Sequence, residues 1–139
     1  MKARLGIWVA CLGLVCLAVP MKAHHSFALE YDGNKPASFE GAVTKVEWTN
    51  PHARVYVDVR GPDGAVKNWN LELASISALA RNGWTSASVK IGDKVKVKGF
   101  EGRAANSYRL NATSIVTADG RTLFSGNAGD DGRPAGDGR

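Results

Sequence analysis

The residues of this chain whose type and spacing could do chemistry are its three histidines: His24 and His25 side by side, and His52 directly after Asn50 and Pro51. If His24 is the first residue of the mature protein, its α-amine and its own ring nitrogen form a chelate. One further imidazole then completes a three-nitrogen site suited to Cu(II). His52 is the better third ligand, because the "NP" corner fixes it at the mouth of a strand, whereas His25 points away from its neighbour in an extended chain. Zinc is the second choice, since three nitrogens leave its fourth position open. A different copper motif, built from an amine, two amides and an imidazole, needs histidine third, and Ser26 stands there instead. The same residues also fit a plainer role, with His52 hydrogen-bonded in its turn beside Trp48 and the His24–His25 pair solvated in a linker.

The metal reading depends on where the mature chain begins. Residues 1–23 open with Lys2 and Arg4, continue apolar over residues 5–19 and close at Pro20 and Ala23, which is the layout of a secretory signal peptide. Its apolar stretch falls short of the roughly 20 residues of a permanent membrane helix. It is therefore expected to be removed, leaving a periplasmic or secreted protein with no stable membrane insertion. A cut after Ala23 makes His24 the first residue. The large Met21, two positions before Ala23, leaves a cut after Ala18 as the competitor. Both cysteines, Cys11 and Cys16, and both methionines fall within the leader, so the mature chain has no disulfide and no soft sulfur ligand. The leader also carries Lys2, Arg4 and Lys22 and no acid, which leaves 15 basic against 13 acidic residues. A balance this even argues against nucleic acid as a partner.

The elements that must position these residues are mostly strands. Residues 39–48 read as a strand whose apolar phase shifts between Val43 and Val46, the mark of a bulge or strong bend. Residues 53–60 alternate cleanly, with Ala53, Val55, Val57 and Val59 on one face. The turn "GPDG" at 61–64 leads to a partner strand over 66–73, with Trp69, Leu71 and Leu73 inward and Asn68, Asn70 and Glu72 outward. Residues 75–83 switch to helical period, with Ser75 as cap and Gly83 as terminator. Strands follow after the turn at Gly92 and Asp93 and over 107–117, with a short closing piece after Asp119 and Gly120. Three strands, a short helix and two strands make an all-β chain with one short helix, in the order of a small OB-fold-like five-stranded antiparallel β-barrel. A plain antiparallel sandwich is the alternative. The expected division is a signal peptide at 1–23, an extended segment at 24–37, the barrel at 38–125, and a disordered tail at 126–139 that has no large apolar residue to bury.

With the elements placed, "HHSFA" at 24–28, "VEWTNPHA" at 46–53, "GW" at 83–84, "GDKVKVKGF" at 92–100 and "ADGRTLF" at 118–124 resemble a family of small exported bacterial proteins, domain of unknown function 6152. In that family the histidine pair stands at the start of the mature protein, which favours the cut after Ala23. Arg54 and Met21 depart from its pattern. The resemblance implies a periplasmic location and carries no established activity.

Two further groups are candidates for binding. Lys94, Lys96 and Lys98, preceded by Lys90, share one face of a strand and could meet an anionic polymer, although a lysine-rich strand face is also an ordinary guard against unwanted pairing. Arg54, Tyr56, Asn68, Asn70 and Glu72 share the outer face of the hairpin, where an envelope protein or polymer could dock. Trp48, Trp69 and Trp84 read as core. The chain lacks a cysteine nucleophile, a glycine-flanked serine elbow, a phosphate loop and histidines at helical spacing with a glutamate, so binding is favoured over catalysis.

Overall fold

The computed structural model describes residues 27–126, so the leader, His24, His25 and the tail from residue 127 lie outside the described residues. In chain order the elements are α1 (Phe27–Glu30), β1 (Tyr31–Glu47), β2 (Arg54–Arg60), β3 (Val66–Glu72), α2 (Ile76–Arg81), β4 (Lys94–Gly102), β5 (Arg109–Thr117) and β6 (Thr122–Phe124). Among these residues no helix is long and apolar enough to cross a membrane.

The alternation in residues 53–60 and 66–73 forms the β2–β3 hairpin, in register from Arg54↔Glu72 to Arg60↔Val66. Its apolar phase is buried at Val55, Val57, Leu71 and Leu73. Each such aliphatic side chain contributes about 1.5–3 kcal/mol when removed from water. The phase shift in the first strand is a real irregularity: β1 pairs with β2 over residues 42–47, and the register slips between Val43 and Lys45. Over residues 31–42 β1 pairs with β4 instead, so one long strand serves two neighbours by bending. Gly41 permits the bend, because a Cβ there would collide with the Asp58 carbonyl and the Val57 side chain.

The ring closes where β3 runs parallel to β5, with Asn70↔Arg109, Leu71↔Leu110 and Glu72↔Asn111. Every other pairing is antiparallel. The result is a five-stranded ring in the expected OB-like order, and β6 takes the remaining edge of β5 at residues 114–116. α2 follows β3 at one end of the ring. Ser75 caps it by accepting a hydrogen bond from Ala78 N at 3.3 Å, and Gly83, at φ +82°, lets the chain leave. Ala78, Leu79, Trp84 and Val89 are buried in the core there. Trp84 is core as expected, whereas Trp48 and Trp69 pack against the core and remain partly exposed.

The main difference from the sequence expectation lies before residue 39. β1 begins at Tyr31, and a short helix precedes it. Residues 31–38, "YDGNKPAS", carry no apolar alternation. They are held by pairing with β4, irregular between Tyr31 and Pro36, and by the anchors described next.

Candidate functional site

Glu72 ends β3 on the face opposite Leu71, yet it is only 6% exposed. Sequence alternation puts it on the outer wall, and the structure then covers it. β5 lies beside it through Asn111, while side chains from β1, β2 and β5 meet its carboxylate. Three donors meet its Oε2: the Tyr31 hydroxyl at 2.8 Å, Arg109 Nη2 at 3.1 Å and Arg54 Nη2 at 3.3 Å. Its other oxygen, Oε1, lies 2.9 Å from His52 Nδ1, and the His52 side chain is 26% exposed. A buried carboxylate is costly unless it is paired and hydrogen-bonded, and this one is surrounded on both oxygens.

The cover is itself anchored. Arg109 Nη2 also donates to Glu30 at 2.7 Å and to the Tyr31 oxygen at 3.2 Å, and its guanidinium lies 5.4 Å from the Tyr31 ring centroid. Phe27 stacks on Tyr31 at 5.8 Å and meets Phe100 of β4 edge-on at 5.7 Å. Arg103 secures the α1 backbone, donating from Nε to the Ala28 carbonyl at 2.7 Å and from its amide to the Glu30 carbonyl at 2.9 Å. Burial, followed by the negative charge of Glu72, pushes the Tyr31 phenol well above its ordinary value, so it remains a neutral donor. For Arg109, burial works against the cation, but the bond to Glu30 and the charges around it prevail and raise its pKa.

The candidates named from sequence separate into four groups. His52, Arg54 and Glu72 are brought together. The other hairpin residues are engaged locally: the Tyr56 hydroxyl donates to Glu47 at 3.2 Å, and Asn68 Nδ2 donates to Asp58 at 2.7 Å and to Thr44 at 3.0 Å. Asn70 differs, since its buried Oδ1 has no partner among the described residues. Lys94, Lys96 and Lys98 are exposed on the outer face of β4, where Lys96 pairs with Glu40 at 2.9 Å. His24 and His25 lie outside the described residues, among which no three His, Cys, Asp or Glu side chains cluster to hold a metal. Sequence reasoning missed Glu30, Tyr31 and Arg109. Only "LEYD" hinted at the first two, and it carries no periodicity; Arg109 was hidden within its own strand.

The arrangement can hold one imidazole in a fixed orientation beside a carboxylate, next to two guanidinium groups and a phenol that never ionises under ordinary conditions. No curated protein and no solved structure matches the chain. Residues 10–111 match the model of a family of unknown function, DUF6152, and the chain belongs to that family.

Proposed function

We propose that this protein is exported to the periplasm, loses its leader after Ala23, and binds Cu(II) through the amine and ring of His24 and the Nε2 of His52. The observation that supports this reading is the Glu72 carboxylate 2.9 Å from His52 Nδ1. A carboxylate on one ring nitrogen holds the proton there and turns the lone pair of the other outward, which is how metal-ligating histidines are oriented. The distance along the chain is short. His24 stands three residues before Phe27, a reach of at most about 10 Å. Phe27 packs on Tyr31, whose hydroxyl shares Glu72 with His52. His25 is a spare imidazole beside the chelate, and zinc is the competing metal.

The test is a Cu(II) titration, followed calorimetrically and by paramagnetic resonance, of the chain that begins at His24. One tight equivalent is expected with nitrogen couplings in its spectrum. His52→Ala and a version with one alanine placed before His24 should each lose that site. Copper binding that neither change weakens would end the proposal.

A further inference from the structure

Beside the turn joining β4 to β5 lies a recess of about 180 Å³, whose lining includes Trp69, Tyr108, Glu101, Asn106, Ser107 and Arg109. Two of these residues hold backbone conformations that side chains rarely adopt: Asn106 has φ +56° and Tyr108 φ +43°. A left-handed tyrosine is strained, and strain of this kind persists where the surroundings enforce it. Here the Tyr108 carbonyl accepts a hydrogen bond from Asn70 N at 2.8 Å, and its ring meets Trp69 edge-on at 5.7 Å. Trp69 in turn packs on Phe39 at 4.7 Å. The turn and β3 therefore present two half-exposed aromatic rings, Tyr108 and Trp69, beside polar side chains.

Those polar groups have hydrogen-bonding capacity to spare. Among the described residues the side chains of Glu101, Asn106 and Ser107 donate to and accept from no protein group, and all three side-chain bonds of Arg109 leave from Nη2. Carboxylate and amide oxygens offer acceptors, the Arg109 Nε and Nη1 and the Asn106 amide offer donors, and the serine hydroxyl offers both. Glu101 and Arg109 carry opposite charges, so the lining favours neither a simple anion nor a simple cation. At Gly102, which also lines the recess, a Cβ would lie 2.8 Å from Ser107 Oγ and 3.3 Å from Arg109 Cβ.

We propose that this recess binds one ring of a neutral oligosaccharide. Each sugar hydroxyl both donates and accepts, which a mixed set of donors and acceptors satisfies, while the apolar C–H face of the ring packs on an aromatic wall. The Lys67 amine rests 5.0 Å from the Tyr108 ring centroid, on an exposed side chain. The site needs no metal at His52, although it shares Arg109 with the Glu72 cluster.

The test is a nitrogen-15 NMR titration of the exported full chain with maltotriose, cellotriose and chitotriose, and with inorganic phosphate as the ionic control. At least one trisaccharide should shift the amides of residues 101–109 and the Trp69 indole. Asn106→Gly should weaken that binding about fivefold or more, by loss of the amide. It should also leave thermal stability equal or higher, because glycine adopts positive φ without strain. Tyr108→Ala should weaken binding as well. The proposal is overturned if no trisaccharide moves these resonances, if phosphate moves them instead, or if Asn106→Gly and Tyr108→Ala bind as the unchanged chain does.

Discussion

Glu72 and Lys96 occupy equivalent places in the pattern, each on the outer face of a strand with period-two alternation, and they end in opposite environments. The Glu72 side chain is 7% exposed and meets four other side chains. The Lys96 side chain is 66% exposed and, among the described residues, pairs with Glu40 alone, itself 69% exposed. The strands do not make this difference. It comes from a second layer, in which residues 27–31 cross the wall and bring Phe27, Glu30 and Tyr31 over the seam where β3 meets β5. A charge left on an open strand face costs and contributes little. The same charge beneath a cover becomes the point on which the cover depends.

Substitutions can break that comparison, and the largest effect belongs to Glu72. Glu72→Gln keeps the shape and removes the charge, leaving Arg54 and Arg109 less well compensated, and should destabilise the fold by about 3 kcal/mol in urea unfolding. Lys96→Ala should change the same midpoint by less than ~0.5 kcal/mol. Equal effects at the two positions would mean that the seam is only another surface. Phe27→Ala comes next, at about 1–2 kcal/mol, because it removes the ring that clamps Tyr31 against Phe100. Tyr31→Phe should cost about 1 kcal/mol, since the ring stays packed and Glu72 keeps its other partners. The smallest effect is a titration at the exposed β5–β6 turn. The Thr117 hydroxyl, and then Arg121, hold the Asp119 carboxyl down to about 2. A depressed carboxylate stabilises the turn above its unfolded value and loses that contribution as pH falls through the folded one. An NMR midpoint for Asp119 near 4 would remove that contribution.

Much of the fold was legible because alternation reports burial directly. The hairpin of β2 and β3, the capped helix after Ser75 and the bulge near Val43 all follow from which residues avoid water. The start of β1 was not legible, because residues 31–38 are held by backbone pairing and aromatic anchors rather than by an apolar face. The site was legible only in part for the same reason. Arg54 and Glu72 are placed on one outer face by strand alternation, and His52 at the mouth of the strand but not beside Glu72, whereas Tyr31 and Arg109 reach Glu72 from 41 and 37 residues away. The face of a strand is written locally. What covers that face is decided by the closure of the ring, which no local period encodes.

The central claim is that Glu72 fixes His52 with Nε2 open for a ligand, and the ring tautomer of His52 tests it most directly. In a long-range proton–nitrogen correlation spectrum of the nitrogen-15 labelled, metal-free chain, the account predicts that Nδ1 carries the proton and Nε2 does not. A proton on Nε2, with Nδ1 bare beside the carboxylate, would contradict it.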